Sequence, residues 1–317
     1  MPRGLVEYSP LDWLRLRPLS HAWKTLASNA INRRFLRLPP PDAEANATVS
    51  RQISGHNIIT TIAWNTPWVL RWHIKFVQAN LRAAKLIVAD NSSDPDARMA
   101  IRQLCADNGI PYFALPQNPY GPVRYASRSH GLALNWTYQN VIRPANPGFF
   151  GFLDHDLMPT GPLDPAQLLG NQPFFGRLVM RGNRWYLWPG YCFFRSKSLD
   201  GRDLDFRQDW FAGLDTGGMN WTRLYRDLDR QALTFSRVRN ETLGLPSADD
   251  DEFEWVDNCI HIGNTSLWRP VQAERQAFVE ATLKRLWDDM TGTLQSERGP
   301  TMHDIPATDG PANLARD

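Results

Sequence analysis

Two aspartates stand two residues apart directly after an apolar run. The stretch at residues 148–163 reads GFFGFLDHDLMPTGPL, and it contains Asp154 and Asp156. In an extended segment, residues two apart point to the same side, so the two carboxylates face one way and His155 faces the other. Two close carboxylates repel unless a cation lies near them, and carboxylate oxygens suit Mg²⁺ or Mn²⁺, which also bind phosphate oxygens. The pair therefore predicts a divalent-metal site at the end of a buried strand.

A third aspartate, Asp90, follows another short apolar run at residues 86–89. If the two runs are parallel strands, their carboxyl ends meet at one edge of the sheet, where α/β proteins bind ligands. We therefore expect Asp90 to share a crevice with Asp154 and Asp156.

The segments that would position these side chains alternate between strands and helices. The predicted strands are residues 58–63, 86–89, 112–115 and 149–153. The predicted helices begin near Pro67, near Pro95 and near Ser129, where Asp94 before Pro95 is a typical N-cap and residues 108–109 (Asn-Gly) are a typical helix end. This alternation predicts an α/β fold, a Rossmann-like, mostly parallel sheet flanked by helices.

Later segments extend this plan. Two aromatic runs at residues 174–180 and 185–194, joined by four turn-forming residues, predict a hairpin that adds to the sheet in antiparallel orientation. Further helices are predicted at residues 218–230 and 270–290. Residues 296–317 have little apolar content, which is typical of a disordered tail.

Composition narrows the class of protein. A chain of 317 residues with 42% hydrophobic and 21% charged residues is typical of a globular fold, and a formal charge of +2 gives no reason to expect nucleic acid. Three cysteines without metal-knuckle spacing fit a reducing compartment. No continuous apolar segment has the length of a signal peptide or a membrane span. We expect a cytoplasmic protein, free or resting on the inner face of the cell membrane.

The first 50 residues differ from the rest, because tryptophans and leucines are interleaved there with several arginines and one lysine. Such a segment can lie on an anionic membrane surface, or it can form a helix packed on the main domain. The predicted organisation is a basic segment at 1–50, a catalytic domain at 51–270, and a C-terminal helix and tail at 271–317.

Four of these stretches together resemble a known family. They are residues 58–65, VADNSSD at 88–94, SHGLALN at 129–135 and FLDHD at 152–156. In this order and spacing they resemble the nucleotide-sugar glycosyltransferases with the GT-A fold, most closely the inverting, family 2-like enzymes. The resemblance covers residues 57–269.

The resemblance implies a role for several residues. Asp90 would accept a hydrogen bond from the nucleotide base, and Asn91 and Asn135 would belong to the same donor site. Asp154 would contact the ribose or the metal. Asp156 would be a direct metal ligand.

Two further residues gain roles from the resemblance. His261, in CIHIGN at residues 259–264, is similar to a distal histidine that completes the metal site in some members, and a nitrogen ligand favours Mn²⁺ over Mg²⁺. Asp215 occupies the place of the catalytic acid, at the start of a predicted helix, where it could equally serve as an N-cap. The acidic run at residues 249–252 is the rival site for a catalytic base or a second metal.

Several aromatic residues could stack on an acceptor sugar or simply belong to the core. They are Trp185, Trp188, Tyr191 and Trp221.

The resemblance implies a metal-dependent enzyme that transfers a sugar, with inversion, from a UDP- or GDP-linked donor to a saccharide or glycolipid. Two alternatives remain open from the residues. One is a metal-dependent phosphoesterase that uses Asp154, Asp156 and His261, and the other is a non-catalytic protein that binds nucleotide sugars.

Overall fold

The computed structural model describes residues 8–199, 201–242, 252–263 and 273–292. The chain divides into two compact units, Met1–Val271 and Gln272–Asp317. The first unit contains ten strands and nine α-helices within its described residues. In the second unit, the described residues form one helix, α10 (Ala273–Thr291).

A six-stranded sheet forms the centre of the first unit, with the strand order β3-β2-β1-β4-β7-β6. Its strands are β1 (Ile58–Ala63), β2 (Lys85–Asp90), β3 (Tyr112–Ala114), β4 (Phe149–Leu153), β6 (Phe174–Arg181) and β7 (Arg184–Arg195). The first four in this order are parallel, whereas β7 runs antiparallel to β4 and to β6. The predicted α/β fold, with a mostly parallel sheet and an antiparallel hairpin at one side, is confirmed.

The two central strands are buried on both faces. Every residue of β1 and of β4 is buried, which is typical of a parallel strand covered by helices on either side. Gly151 lets β4 lie close to β7, because a Cβ atom there would be only 2.4 Å from the Phe193 ring and 2.7 Å from the Cys192 carbonyl oxygen. β4 therefore carries Asp154, the next residue after it, on a tightly packed support.

The helices that cover the sheet begin where the sequence indicates. They are α4 (Pro67–Asn80), α5 (Pro95–Asp107) and α6 (Pro122–Thr137). The side chain of Asp94 accepts hydrogen bonds from the backbone N–H groups of Asp96 and Ala97, so its predicted role as an N-cap is confirmed. The helix predicted at residues 129–142 begins earlier, at Pro122, and ends in a π-helical turn, Tyr138–Ile142, followed by the short α7 (Arg143–Ala145).

A second sheet, which the sequence did not predict, is antiparallel with the order β5-β10-β9-β8. Its strands are β5 (Leu157–Pro159), β8 (Val238–Thr242), β9 (Glu252–Val256) and β10 (Cys259–His261). Residues 256–262 do not form one continuous strand, because Asp257 has a φ of +52° and turns the chain between β9 and β10. Aspartate and asparagine tolerate this left-handed conformation, and Asn258 follows at the turn.

The predicted helix at residues 218–230 is also wrong. Only one π-helical turn, Trp221–Tyr225, and a 3₁₀ turn, Arg230–Ala232, form there. Gly217 has a φ of +91°, a conformation that a helix does not contain. The chain therefore forms a loop up to about residue 220, and the two short turns follow it.

Three helices precede the central sheet, α1 (Pro10–Leu14), α2 (Arg17–Leu36) and α3 (Ala43–Ile53). The predicted boundary after residue 50 falls inside α3. One part of α2 is bound to the rest of the unit, since Ser28 and Asn29 accept hydrogen bonds from Arg207, and Asn32 accepts one from Asn135.

Two short helices, α8 (Pro165–Leu169) and α9 (Ser196–Leu199), complete the first unit. All three cysteines, Cys105, Cys192 and Cys259, are free and buried, and burial raises the pKa of each thiol. The predicted tail at residues 296–317 lies outside the described residues. Across the described part of the chain, no helix has both the length and the hydropathy required to span a bilayer.

Candidate active site

The structure brings Asp154, Asp156 and His261 together at the carboxyl end of β4. One possible ligand atom from each residue lies within 4.8 Å of the other two, and the Nε2 atom of His261 is 3.4 Å from Oδ1 of Asp156. Two carboxylates and one imidazole at this separation are a donor set that suits Mn²⁺ and similar ions. These three residues, called the triad below, therefore fit a divalent metal.

The two sheets position the triad. The backbone N–H of Asp154 donates to the carbonyl oxygen of Gly190 in β7, and the N–H of Ile262 donates to the carbonyl oxygen of Asp156. β10 pairs with β5 so that His261 lies opposite Leu157, the residue after Asp156. The antiparallel second sheet thus brings a histidine from late in the chain to the two aspartates.

His155 lies between the two aspartates in sequence but is buried. Its Nδ1 atom is 3.2 Å from the carbonyl oxygen of Ile62 in β1. This contact ties the turn after β4 to the neighbouring strand.

The second nitrogen of His261 faces another carboxylate. Its Nδ1 atom is 3.3 Å from Oε2 of Glu254 in β9, and the other oxygen of Glu254 accepts a hydrogen bond from Arg177 Nε at 3.0 Å and a second one from Nη2. The Trp188 ring packs on both partners, 4.7 Å from the His261 ring and 5.1 Å from the Arg177 guanidinium. Metal-binding histidines typically donate their second N–H to a carboxylate in this way.

Sequence reasoning missed Glu254 and Arg177. The available signal was a glutamate between Phe253 and Trp255 in an aromatic, strand-like run, where a charged side chain requires a partner. The partner could not be named, because Arg177 belongs to the other sheet.

The charges around His261 determine its protonation. Burial lowers the pKa of His261, but the charges and hydrogen bonds of Asp156 and Glu254 outweigh burial and raise it to about 10. Burial likewise raises the pKa of Glu254, while hydrogen bonds from His261 and Arg177 lower it below its usual value. This raised pKa favours the protonated form of His261 at neutral pH, so a metal ion that bound here would have to displace that proton.

Asp90 lies at the end of β2, fully buried. Its Oδ1 atom accepts a hydrogen bond from the N–H of Ser92 at 2.8 Å, and its Oδ2 atom accepts one from the Tyr112 hydroxyl at 2.8 Å. Burial raises the pKa of Asp90 against these hydrogen bonds and the nearby Arg98. Because both oxygens have protein partners, binding of a nucleotide base by Asp90 stays a prediction.

The two predicted asparagines are also bound to other protein groups. Asn91 donates to the Ser129 hydroxyl and accepts from Asn118.

Asn135 donates to Asn32 and to Asp205 at 2.9 Å, and it accepts from the N–H of Phe206 at 2.7 Å. None of these hydrogen bonds reaches the triad. Asn135 instead ties α6 to α2 and to the segment around Asp205.

Asp215 lies in the loop before the π-helical turn, not at the start of the predicted helix. Its Oδ1 atom accepts hydrogen bonds from Gln208 Nε2 at 2.9 Å and from the N–H of Thr216 at 2.7 Å. Its own N–H donates to the hydroxyl of Tyr186 at 3.3 Å. Hydrogen bonds therefore hold the Asp215 carboxylate in place outside the triad. Asp215 does not lie at the N-terminus of an α-helix, because only a π-helical turn follows it.

His130, in α6, is close enough to Asp154, Asp156 and Asp215 for all three charges to influence its pKa. Burial lowers the pKa of His130, and the charges of Asp154, Asp215 and Asp156 oppose this effect. All three carboxylates therefore act on one histidine of α6.

The aromatic residues considered for acceptor stacking have different positions. Trp185 and Tyr191 are buried in the core. Trp221 packs edge-on against Trp185, and Trp188 lies on His261. In the rival acidic run, residues 249–251 lie outside the described residues, and Glu252 begins β9.

Comparison with known proteins gives structural neighbours only. No family model matches the chain, and no curated protein matches it. Two similar solved structures are an active-site mutant of LgtC, with a TM-score of 0.33 and 16% identity, and the galactosyltransferase LgtC in complex with donor and acceptor sugar analogs, with a TM-score of 0.31 and 15% identity. Each match covers 55% of this chain and 66% of the LgtC chain.

Proposed function

We propose that this protein is a glycosyltransferase that uses a divalent metal and a nucleotide-diphosphate sugar. The observation that carries the proposal is the triad at the carboxyl end of β4, where two carboxylates and a histidine converge. Carboxylate-bound Mn²⁺ or Mg²⁺ characteristically binds the phosphates of a nucleotide. The donor would be UDP- or GDP-linked, and the acceptor a saccharide or glycolipid.

The residues of the site would have separate roles. Asp154, Asp156 and His261 would hold the metal, which supplies positive charge where the departing diphosphate gains negative charge. Glu254 would keep His261 oriented. Asp90 ends β2 and Asn91 follows it, at the same edge of the sheet, where a nucleoside would bind.

Transfer with inversion requires a base that accepts the proton of the acceptor hydroxyl. The residues that would hold the metal would not serve as this base, because they would be committed to the metal. Asp215 is our candidate, since it lies outside the triad while its charge acts on the same His130. A positioned base typically contributes about 10²–10⁴-fold to the rate.

The proposal is tested by calorimetry of UDP and GDP binding with and without Mn²⁺. We expect Mn²⁺-dependent binding by the natural protein and loss of the metal-dependent part in Asp156→Asn, because one metal ligand loses its charge. The matched control is Asp227→Asn, an exposed aspartate far along the chain from the triad. Equal Mn²⁺-dependent binding by Asp156→Asn and the control would contradict the proposed site.

A second measurement separates transfer from hydrolysis. With a panel of sugar nucleotides, we expect sugar to reach an added saccharide or glycolipid acceptor. Release of phosphate from simple phosphate esters would indicate a phosphoesterase instead, and metal-dependent binding without turnover would indicate a binding protein.

A further inference from the structure

We propose that a cavity between α2 and the segment at residues 207–219 binds an acidic saccharide, which is the acceptor if the proposed function holds. The cavity has a volume of about 370 Å³, within the range of small-molecule sites. Its lining comes from α2, from the region around the start of α6, and from the loop that leads to Asp215. It differs from the triad, none of whose residues lines it.

Aromatic side chains form much of the lining. Trp23 and Trp210 are 73% and 62% exposed, and Tyr120 and Phe211 lie beside them. Large exposed aromatic residues around a concave site are typical of a binding surface, and their flat faces suit the apolar face of a sugar ring. The cavity therefore offers stacking surfaces that the buried Trp185 and Tyr191 do not.

Arg128 supplies a positive charge inside this aromatic lining. Its guanidinium lies 4.8 Å from the Trp210 ring, 5.1 Å from the Tyr125 ring and 5.8 Å from the Tyr120 ring. In the part of the chain that the structure describes, no carboxylate lies within ion-pair distance of Arg128. A half-buried guanidinium held by rings is oriented to form charge-assisted hydrogen bonds with a carboxylate or phosphate group.

The other charged groups of the lining already have partners or lie in solvent. Arg207 is paired with Asp205, with its Nη2 atom 2.6 Å from Oδ2. Asp209 accepts a hydrogen bond from the N–H of Ala212, and Lys24 is exposed on α2. Arg128 is therefore the group that would select an anion.

Gln208 connects this cavity to the candidate base. It lines the cavity and donates through Nε2 to Oδ1 of Asp215 at 2.9 Å. Its amide oxygen is buried and accepts no hydrogen bond from the described residues, which is energetically unfavourable. A hydroxyl of a bound saccharide could donate the missing hydrogen bond after a small movement of the Gln208 side chain. An acceptor in the cavity would thus lie next to the residue that is to take its proton.

The test is binding of the full chain to an array that carries neutral, uronic-acid-containing and phosphorylated saccharides. We expect retention of acidic saccharides, and a loss of about tenfold or more in Arg128→Gln, because a hydrogen bond to a charged group is lost. The matched control is Arg239→Gln, whose guanidinium also lies over a tryptophan, 4.4 Å from the Trp255 ring, but pairs with Glu241. The carboxylated and phosphorylated arms show which anion is preferred.

Other outcomes would overturn the inference. These are equal retention of neutral saccharides, no retention of acidic ones, or equal binding by Arg128→Gln and the control. Trp210→Ala, a change at an exposed ring, provides a second variant that should weaken the same binding if Arg128→Gln fails to fold. Because the array needs neither nucleotide nor turnover, Arg128-dependent binding combined with failure of Mn²⁺-dependent nucleotide binding would overturn the proposed function and leave the saccharide site standing.

Discussion

At the scale of single residues, the site depends on how His261 is held. Glu254 faces Nδ1, so a neutral His261 would carry its hydrogen there and direct the lone pair of Nε2 toward Asp156. Arg177 and Trp188 hold Glu254 and the imidazole ring in turn. The proposed metal ligand is thus oriented by groups that would not themselves bind the metal.

We predict that Glu254→Gln weakens Mn²⁺ binding by about 10–100-fold, because the carboxylate that orients His261 is lost. Calorimetry of Mn²⁺ binding to the metal-free protein measures this. Glu241→Gln, on the adjacent strand β8 and half-exposed, is the matched control and should bind Mn²⁺ as the natural protein does. Unchanged affinity in Glu254→Gln would remove its positioning role.

Asp215 allows a separate test of catalysis. We predict that Asp215→Asn lowers turnover by about 10²–10⁴-fold and leaves Mn²⁺ and nucleotide affinity unchanged, because the base is lost and the metal ligands are not. The asparagine oxygen can still accept from Gln208 and Thr216, so the loop should keep its conformation. Asp203→Asn, at an exposed aspartate, is the control. Turnover at the natural rate would exclude Asp215, and residues 249–252 would be tested next.

At the scale of secondary structure elements, β4 positions the site, because Asp154 follows directly after its last residue. We predict that Gly151→Ala destabilises the protein by about 1–3 kcal/mol, because the new methyl group would overlap the Phe193 ring and the Cys192 carbonyl. Denaturant unfolding measures the loss. At Gly121, an added Cβ meets no atom within 4 Å and φ is −64°, so Gly121→Ala serves as the control. Equal stability of the two variants would show that β4 and β7 can separate without cost.

Local signals explain which elements the sequence could predict. β1 is an apolar and β-branched run, β4 is a continuous apolar run, and α5 follows an aspartate and begins at a proline, so composition and capping are sufficient. The turn at Asp257 and the positive φ of Gly217 depend on backbone conformations that a single sequence does not specify. For this reason the second sheet and the loop after Asp215 were not foreseen.

The residues of the candidate site also fall into two groups, those that the sequence predicts and those that depend on the tertiary fold. Asp154 and Asp156 are adjacent to a recognisable strand, and the resemblance supplied His261. Glu254 and Arg177 depend on the pairing of β9 with β10 and on the approach of two sheets, which arise only from the tertiary fold. The hydrogen bonds of Asn135 to α2 depend on it in the same way.

At the scale of the whole molecule, the N-terminal helices expose an unusual amount of apolar surface. The large exposed side chains there are Leu11, Trp13, Leu14, Leu16, Leu19, Trp23 and Leu26. Arg15, Arg17 and Lys24 lie among them, a combination that suits an anionic lipid surface. The same α2 is hydrogen-bonded to Arg207 and Asn135, so packing on the domain and contact with a membrane can occur together.

We predict that replacing Leu14 and Leu19 by serine weakens sedimentation with phosphatidylglycerol-containing vesicles by about tenfold or more, because two apolar side chains no longer enter the interface. The full chain is used, since removal of α2 would break its hydrogen bonds to the domain. Met99→Ser, at a 67% exposed position in α5, is the control. Equal vesicle binding by all three proteins would leave α2 as a packing element alone.

We expect the folded chain to resist alkylating reagents, because its three cysteines are buried although none of them forms a disulfide. Cys105 lies on α5, Cys192 on the central β7, and Cys259 on β10 beside the triad. Each thiol becomes reactive only when its own layer opens, because burial holds all three pKa values high. The order in which they are alkylated would therefore report, without any introduced probe, which layer of the protein opens first and whether a ligand delays the one that contains Cys259.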